Sequence, residues 1–498
     1  MSLTKATYSM IQGSPINLLD YGAVGDGITD NSAAILAAFN AANASGKSLY
    51  VPAGIYNIAS TVAVPSLQNI VIFGDGKPVN LVGTKASYFR YTGSSGNMFY
   101  FDHLAGVEFR DLLFGYNNAS YNGDLVRTNN DAGLDATSFT FNRCVFSGDG
   151  SAFQATSLLR LEKTIIATIS KCTFLKANNG VTLYSYCNVI TFKENTFLQN
   201  NFRNVYMLSG TNEGLMFYDN TFEPTASGKA SGFTCVPGEV IVNLTYIGNW
   251  HGDVSADGGF NWLNLGIVRG AVISGNTFGT PGNGVNDYCI AVNNASTGLQ
   301  VSGNYFVGKS LFFNATTTAV NIFSNVFNAA NSIDGLNYIS GKSNLYSNFG
   351  LNGFPRSKAF ADVNQSIPNT TNTAVILGTN IYDQGPLHST TVNPTRFTVP
   401  AGGAGLYTFS AAVTFATGAG SYKVFIRKNG SSVIGQTSGV LSATVNLQPT
   451  ITANDVAADG DYYELCVYQN TGGALDVIGA AVLAVDTYMS AAKMFSGD

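Results

Sequence analysis

Residues 193–222 read KENTFLQNNFRNVYMLSGTNEGLMFYDNTF and contain one short phrase twice, as ENTF from residue 194 and as DNTF from residue 219. Related phrases recur along the chain at intervals of 21 to 29 residues. They are RCVF at 143, KCTF at 171, GNW at 248, GNTF at 275, GNYF at 303, SNVF at 324 and SNF at 347. A repeat of this length cannot bury its own apolar face, so successive repeats must stack and share one interior. The repeat therefore predicts a solenoid.

The second position of each phrase forms a column along the chain. Seven of its nine positions are Asn, and the column comprises residues 144, 172, 195, 220, 249, 276, 304, 325 and 348. Short alternating runs such as LLRLEKTI and GVTLYSY surround it, and such runs are typical of strands. Asn tolerates left-handed backbone geometry, and its amide can bond to nearby backbone. We therefore expect a parallel β-helix in which the Asn residues occupy a turn and bond to one another from coil to coil.

The composition is typical of a large β-protein with few charges. Gly accounts for 55 of 498 residues and charged residues for 11%. A net charge of −5 provides no basic surface for nucleic acid or an anionic membrane. No apolar run approaches the roughly 20 residues of a membrane span, and the start, MSLTKATYSMIQG, has no apolar signal core. We expect no nucleic-acid partner, no membrane insertion and no Sec export.

Six cysteines are too few for a disulfide scaffold in a chain of this length. Cys144 and Cys172 share the column one coil apart. Free thiols that line the core are favoured over a disulfide between them.

The first 60 residues are predicted to cap the solenoid. SAAILAAFNAAN reads as a helix with Asp30 as its N-cap, an apolar stripe and Gly46 at its end; the stripe is Ile35, Ala38, Phe39 and Ala42. A helix here would cover the open end of the solenoid, where strand groups are otherwise unpaired. LYVPAGIYNI would then form the first strand pair.

Two N-terminal stretches, INLLDYGAVGDGITDNSAAILAAFNAA from residue 16 and GKSLYVPAGIYNI from residue 46, resemble the signature of the pectate-lyase-like right-handed β-helix superfamily. They are especially similar to phage tailspikes with depolymerase activity, where a phrase like KATYSMIQG often precedes that signature. The resemblance implies a right-handed helix. It does not fix the chemistry, because the superfamily contains hydrolases, lyases, epimerases and passive binders.

The last part of the chain has a different pattern. Strands separated by Gly, Asn and Asp turns indicate an antiparallel sandwich. FTVPAGGAGLYTFSAAV and DGDYYELCVYQNTGG are similar to the trimeric jelly-roll heads of the complement and tumour-necrosis-factor group, which implies a homotrimer. The predicted fold class is thus all-β, a right-handed parallel β-helix with an N-terminal capping helix, followed by a C-terminal antiparallel β-sandwich (jelly roll). The predicted domains are 1–60 (stub, capping helix and first coil), 61–355 (β-helix with the glycan groove) and 356–498 (trimerisation).

Charge is unevenly distributed over the solenoid. Residues 143–262 contain 17 Asp, Glu, Lys and Arg, whereas residues 270–355 contain four. The charged stretch also holds both tryptophans, and its aromatic residues include Trp250, Trp262, Tyr184, Tyr186, Tyr206, Tyr218 and Tyr246. Aromatic faces stack on sugar rings, and carboxylates, amides and Arg bond sugar hydroxyls. This pattern predicts a glycan groove on the middle coils.

Glycosidic hydrolysis usually needs two carboxylates, roughly 5 Å apart for retention or roughly 6.5–9.5 Å for inversion. Residues in register on adjacent coils lie about 4.8 Å apart. Glu194 and Asp219 occupy one register immediately before the Asn column, so they are a candidate catalytic pair. Two close carboxylates repel each other as anions, which would raise the pKa of one of them above that of the other. Arg143 and Lys171 precede them in the same register, so an exposed charge ladder is the alternative.

A second candidate cluster follows the turn. Glu223 and Asp253 are the predicted catalytic pair, with Glu239 and Asp257 as substrate-binding residues, because the loops here are long for the solenoid. The other predicted substrate-binding residues are Trp250, His251, Trp262, Tyr218 and Tyr246. His251 either fills the Phe position of its coil inside the solenoid or orients a substrate, and both tryptophans could equally be core.

Other chemistries lack their motifs. GAVGDG is not followed by the Lys and Ser/Thr of a phosphate-binding loop, and no serine hydrolase signature is present. No spacing matches a closed metal site, so no metal and no cofactor are predicted. Calcium on Asp253 and Asp257 is a minor alternative.

These features predict a trimeric phage tailspike that binds a bacterial surface polysaccharide, capsule or O-antigen, and hydrolyses it with paired carboxylates. It would act in the virion tail at the host surface, attached to other tail or baseplate proteins. Two alternatives stay open: a lyase that works by β-elimination, with Lys171, Lys193, Tyr218 or His251 as base, and a receptor-binding fibre without catalysis.

Overall fold

A computed structural model gives the structure of the chain and divides it near residue 350 into two compact units. The residues that the structure describes are 13–78, 86–129, 138–148, 155–223, 231–252, 261–281, 287–308, 310–314, 316–328, 333–334, 343–346, 355–400, 403–479 and 487–496.

The first unit is a right-handed parallel β-helix, as predicted. The coils contribute strands to three parallel sheets, named A, B and C in the order in which the chain visits them, and two coils give sheet A two short strands each. Sheet A contains Ile16–Asn17, Leu49–Tyr50, Leu67–Gln68, Val71–Phe73, Leu104–Arg110, Ser138–Asn142, Ile166–Ser170, Ile190–Lys193, Thr211–Glu213, Leu215–Tyr218, Val240–Ile247, Ile267–Ser274, Thr297–Ser302, Thr318–Phe323 and Ser343–Tyr346.

The strands of sheets B and C follow those of sheet A in every coil. Sheet B contains Asp26–Asp30, Gly54–Ile58, Ser87–Tyr91, Leu113–Tyr116, Val145–Gly148, Thr173–Leu175, Thr196–Leu198, Thr221–Glu223, Trp250–His251, Thr277–Phe278, Tyr305–Phe306 and Val326–Phe327. Sheet C contains Val62–Val64, Phe99–Phe101, Asp124–Thr128, Ser157–Thr164, Asn179–Cys187, Arg203–Met207, Ser231–Cys235, Leu263–Leu265, Ile290–Val292, Leu311–Phe313 and Ile333–Asp334. A short turn joins A to B, and longer connections join B to C.

The capping helix spans Ser32–Ser45 and follows a 3-10 turn at Leu18–Tyr21. Its predicted apolar stripe is buried, and Gly46 ends it in a left-handed conformation with φ +63°. The N-cap is Asn31, so the prediction of Asp30 is wrong by one residue. Hydrogen bonds in the loop before the helix hold both residues. The Val24 backbone N–H donates to the Asn31 side chain, and the Ser32 backbone N–H donates to the Asp30 carboxylate.

The Asn column forms the predicted ladder at the A–B turn. The Asn220 side-chain amide donates to Asn249 Oδ1 at 2.9 Å and to the Phe192 carbonyl at 2.9 Å, and Asn220 Oδ1 accepts from Asn195 at 3.0 Å. The same bonds continue through Asn276, Asn304 and Asn325. Every member is buried, so the ladder satisfies polar groups that water cannot reach. Position 348 lies outside the described residues.

The left-handed residue of the turn is the one before the Asn, which corrects the expectation that Asn itself adopts this geometry. These residues have φ between +53° and +70° and are Arg143, Lys171, Glu194, Asp219, Gly248, Gly275, Gly303 and Ser324. The Asn must turn its side chain inwards to reach the ladder, so the preceding residue makes the turn.

Aromatic rings stack through the core beside the ladder. Neighbouring ring centroids are 4.7 to 5.2 Å apart along the column Phe146, Phe174, Phe197, Phe222, His251, Phe278, Phe306 and Phe327. The predicted core thiols are confirmed, because Cys144 and Cys172 are free, buried and bonded to carbonyls of neighbouring coils. Burial raises the pKa of the Cys144 thiol well above its ordinary value.

The second unit contains the predicted antiparallel sheets. In one five-stranded sheet the strand order is Thr379–Gln384, Arg356–Phe360, Tyr488–Ser496, Gly405–Ala412 and Thr450–Ala457. The other contains Thr373–Ala374, Tyr462–Gln469, Gly420–Lys428, Ser432–Leu441 and Arg396–Thr398, and Gln365–Ile367 pairs with Leu475–Val477. One apolar cluster that includes Phe409, Phe415 and Tyr463 fills this unit. Within the described residues of the chain, no helix is long and apolar enough to cross a membrane.

Candidate functional site

The outer face of sheet C carries a cluster of charged side chains that sequence reasoning did not select. In strand Ser157–Thr164, Leu159 and Leu161 are fully buried in the solenoid core. Strand side chains alternate between faces, so Arg160 and Glu162 project from the outer face. Arg127 lies in register with Arg160 on the preceding coil.

Two carboxylates and two guanidinium groups form one network on this face, termed the sheet C cluster: Asp124, Arg127, Arg160 and Glu162. Arg127 Nη2 lies 2.7 Å and Arg160 Nη2 lies 3.2 Å from Glu162 Oε2. Arg160 Nη1 lies 3.2 Å from Asp124 Oδ2. Glu162 therefore sits between two cations that would otherwise repel each other across one coil.

Each Arg of this face also stacks on a tyrosine. The guanidinium carbon of Arg160 is 4.1 Å from the ring centroid of Tyr184, and that of Arg203 is 4.1 Å from the ring of Tyr206. Arg127 lies 5.4 Å from the ring of Tyr100. Stacking on an aromatic face holds a guanidinium in a fixed plane, so the cluster is pre-organised.

Two polar atoms of the sheet C cluster are buried without a hydrogen-bond partner among the described residues, namely Asp124 Oδ1 and Arg160 Nε. The Asp124 and Glu162 side chains are only 11% and 9% exposed. Buried polar atoms are normally paired. These two atoms are exceptions within the network, and their burial keeps them out of reach of a ligand in this arrangement.

The carboxylates of Asp124 and Glu162 are close enough for joint action. Each lies 3.2 Å from a different terminal nitrogen of Arg160. Their bonded oxygens are therefore separated by no more than roughly 9 Å, a limit that includes the separations of retaining and inverting glycosidases.

Glu194 and Asp219 lie elsewhere, at the A–B turn, the one corner of the solenoid that does not border sheet C. They share the turn position on adjacent coils, and both are exposed. Glu194 Oε2 is 3.7 Å from Lys171 Nζ, and Glu194 Oε1 is 3.5 Å from Lys193 Nζ. Arg143 pairs with Asp111 one coil earlier. These contacts are those of the charge ladder that the sequence left open.

Glu223 and Glu239 lie on opposite borders of sheet C. Glu223 ends strand Thr221–Glu223 of sheet B, where the chain leaves for sheet C, and is half-buried. Glu239 follows sheet C, and its Oε2 accepts from the Gly210 N–H at 2.7 Å. Asp253 and Asp257 lie outside the described residues.

His251, Tyr246 and Trp262 are corrected from substrate-binding residues to core. Each is at most 1% exposed, so a glycan cannot reach them. His251 fills the Phe position of its coil, one of the two roles the sequence left open, and its Nε2 is 2.8 Å from the Tyr246 hydroxyl. Burial lowers the pKa of His251 well below 6.5. The Trp262 indole N–H donates to the Gly279 carbonyl at 2.7 Å.

Trp250 and Tyr218 do not join the sheet C cluster. Trp250 is 43% exposed on sheet B, and Tyr218 is half-buried at the end of a sheet A strand. The predicted substrate-binding residues are thus spread over the core and three outer surfaces. Within the described part of the chain, no group of three His, Cys, Asp or Glu side chains could hold a metal ion.

A sequence signal for the sheet C cluster exists in LLRLEKT, residues 158–164. Two charges alternate there with core leucines, which is the pattern of a strand with a charged outer face. DLVRT, one coil earlier, repeats it with Arg127.

A profile described as rhamnogalacturonase A/epimerase, pectate lyase-like matches residues 15–279, more than half of the chain. The chain belongs to this family. The match covers the capping helix, the sheet C cluster and the coils as far as Phe278. No curated protein sequence matches the chain.

Several solved structures are similar to this chain. The A-module of the mannuronan C-5 epimerase AlgE6 from Azotobacter vinelandii has 19% identity and a TM-score of 0.43, over 67% of this chain and 98% of that one. The enzymatically active domain of tailspike protein 4 from bacteriophage CBA120 has 11% identity and a TM-score of 0.42, over 98% and 68%. Tailspike gp49 of Acinetobacter baumannii bacteriophage Fri1, a capsular polysaccharide depolymerase, has 14% identity and a TM-score of 0.39, over 98% and 87%.

Proposed function

We propose that this chain is a tailspike-type depolymerase that binds a bacterial surface polysaccharide, capsule or O-antigen, along the outer face of sheet C and hydrolyses it. Membership of the family and the N-terminal resemblance to depolymerase tailspikes support a glycan-active β-helix. The observation that carries the placement is the sheet C cluster, in which two carboxylates and two guanidinium groups share one partly buried face.

The glycan is proposed to run parallel to the solenoid axis across the sheet C strands. The register column Tyr100, Arg127, Arg160, Thr182 and Tyr206 continues from coil to coil, and every member except the buried Thr182 is partly exposed. These five strands span about 20 Å at a spacing of about 4.8 Å, enough for several sugar rings. Stacked tyrosines and fixed guanidinium groups suit both the flat faces and the hydroxyl groups of such a chain.

Asp124 and Glu162 are the proposed catalytic pair. Hydrolysis requires one carboxyl group to protonate the leaving oxygen while the other acts on water or on the sugar as an ionised base or nucleophile. These two lie on one face and share Arg160, which fixes their separation. Glu223 with Asp253 is the second proposed pair, and Glu194 with Asp219 is the third. A virion-tail location, a homotrimer and attachment to other tail proteins belong to the same proposal.

A lyase is the second candidate function, and the three guanidinium groups of Arg127, Arg160 and Arg203 on one face favour it. Such groups bind carboxylates strongly, and β-elimination acts beside the carboxylate of a uronate. A receptor-binding fibre without catalysis is the third candidate.

Incubation of the intact chain with purified capsule and O-antigen separates the three functions. Hydrolysis gives shorter chains without a new ultraviolet absorbance, because no double bond forms. A lyase gives shorter chains that absorb. A binder retains the polysaccharide on a column or sensor and leaves its length unchanged, and this last outcome would refute the proposed activity.

A further inference from the structure

Four consecutive coils carry an uncharged outer surface that wraps around the A–B turn. It consists of four nine-residue segments, 243–251, 270–278, 298–306 and 319–327, termed the A–B wedge. None of the 36 residues is Asp, Glu, Lys or Arg. The three preceding coils differ, because Lys171, Lys193, Glu194 and Asp219 occupy the equivalent positions. At the A–B turn, Asp219 is the last charged residue of this position, and the four coils of the wedge have none there.

Each coil of the A–B wedge exposes one large apolar side chain. Trp250, Val272, Tyr305 and Val326 are 43%, 37%, 39% and 37% exposed. No other large hydrophobic side chain described between residues 203 and 328 is exposed. Exposed apolar groups that cluster on one surface usually mark an interaction site.

The two halves of the wedge have different shapes. The sheet A half holds a groove of about 430 Å³ lined by residues of all four segments, among them Asn243, Gly270, Val272, Gly298 and Gln300. Gly270 and Gly298 have φ +82° and +73°, and with no side chain they leave the floor of the groove open. The sheet B half instead projects Trp250 and Tyr305, two coils apart on one register column.

The turn between the halves is itself narrow. Gly248, Gly275 and Gly303 occupy the left-handed position in three of the four coils. A corner without side chains permits close approach of another backbone. The wedge therefore combines a concave side, a bare corner and a convex aromatic side.

We propose that the A–B wedge is the contact surface between copies of this chain, in which Trp250 and Tyr305 of one copy enter the sheet A groove of the next. A surface that pairs with a different surface of its neighbour is heterologous, and it closes into a ring when the rotation permits. The expected ring contains three copies.

The chemistry of the surface favours a second copy as the occupant. The chain has a net charge of −5, and contact through a surface without charged residues brings no like charges together. Four coils spaced by about 4.8 Å give the wedge an area on the order of 500 Å² per copy, which is part of the about 800 Å² per partner in a standard interface. Trp and Tyr are also the side chains that most often dominate such contacts.

This arrangement leaves sheet C facing away from the contact. Each copy then keeps its own complete sheet C cluster. The inference does not rest on the proposed catalysis, since the wedge contributes no residue to the sheet C cluster.

Cross-linking tests which faces meet. Gln300→Cys places a thiol in the groove, and Trp250→Cys places one on the convex side. The native cysteines among the described residues are buried, so they give little background. With a flexible bismaleimide, the doubly substituted full chain should form covalent trimers, and each single variant should stay uncross-linked. Dimers from a single variant, or an uncross-linked double variant, would overturn the proposal.

Subunit exchange between mass-tagged trimers gives an independent measurement. Trp250→Lys should accelerate exchange at least about tenfold, since buried aromatic anchors dominate interfaces. Phe202→Lys is the matched control, because Phe202 is 52% exposed but lies outside the wedge, and it should exchange at the parental rate. If Trp250→Lys weakens polysaccharide binding while exchange stays parental, the surface binds glycan and the proposal is wrong. A monomer in light scattering of the parent would also overturn it.

Discussion

Replacing the buried Tyr246–His251 pair by two phenylalanines tests whether His251 is core. The Tyr246 hydroxyl is 2.8 Å from His251 Nε2, and both side chains are at most 1% exposed. Tyr246→Phe or His251→Phe alone leaves one buried polar group without its partner, which lowers the free energy of unfolding by about 1–3 kcal/mol. The double variant removes both groups and continues the Phe stack, so we expect its stability within about 1 kcal/mol of the parent. The coupling between the two positions should then equal the sum of the two single losses, about 2–6 kcal/mol.

The same pair predicts a pH dependence. Burial holds the pKa of His251 well below 6.5, so the folded chain keeps the imidazole neutral at pH values where the unfolded chain protonates it. The unfolded state then binds more protons, and stability is lost as the pH falls below about 6.5. The loss approaches about 1.4 kcal/mol per pH unit until the folded pKa is reached. The double variant lacks this contribution, so its stability relative to the parent should rise on acidification.

Urea unfolding followed by tryptophan fluorescence is the assay. Both tryptophans of the chain lie in the solenoid, and the Trp262 ring is 4.8 Å from the His251 ring, so the signal reports this unit. Measurements above and below pH 6.5 give the pH-dependent difference. Parallel pH profiles for the parent and the double variant would refute the neutral buried histidine. Loss of polysaccharide cleavage by the double variant at unchanged stability would restore the substrate-orienting role.

Three further outcomes follow from the turn and the core. Asn220→Ala removes a side chain bonded to Asn195, Phe192 and Asn249 and should lower the free energy of unfolding by about 2–4 kcal/mol; a loss under about 0.5 kcal/mol in urea would contradict the ladder. Glu194→Gly should be about 1 kcal/mol more stable than Glu194→Ala, because φ is +55° there; equal unfolding midpoints would refute this. Burial raises the pKa values of Cys187 and Cys235 to about 12, so a maleimide should label these thiols only after unfolding, and rapid labelling of the folded chain would show that they are accessible.

The repeat predicted the solenoid because it is a local pattern that stacking converts into register. The residue type alone predicts the ladder formed by Asn220 and its neighbours in the column. A ladder of buried amides is one of few reasons for Asn to recur once per coil. The sequence pattern predicts the left-handed position one residue too late. The left-handed backbone could not be predicted from the residue types at Arg143, Lys171 and Glu194, because residues of these types rarely adopt φ > 0. They do so here because the ladder fixes the position of the next residue.

The candidate site was harder to predict because its members are distant in sequence. Arg127 and Glu162 are 35 residues apart, and only the register of sheet C brings them together. The exposure of a side chain could not be predicted from its residue type either. Trp262 lies inside the solenoid, whereas Trp250 lies on its outer surface. Which face a strand residue takes depends on where its strand begins, and a single shift reverses it.

The rate of polysaccharide cleavage by isosteric variants of the sheet C cluster tests the central proposal most directly. Glu162→Gln and Asp124→Asn keep the shape of the network, and each should lower the rate by at least about 10²-fold. Glu194→Gln changes the third proposed pair, at the A–B turn, and should cleave at the parental rate if the sheet C pair carries the catalysis. Parental rates for both sheet C variants, or a comparable loss with Glu223→Gln alone, would contradict the placement of catalysis at Asp124 and Glu162.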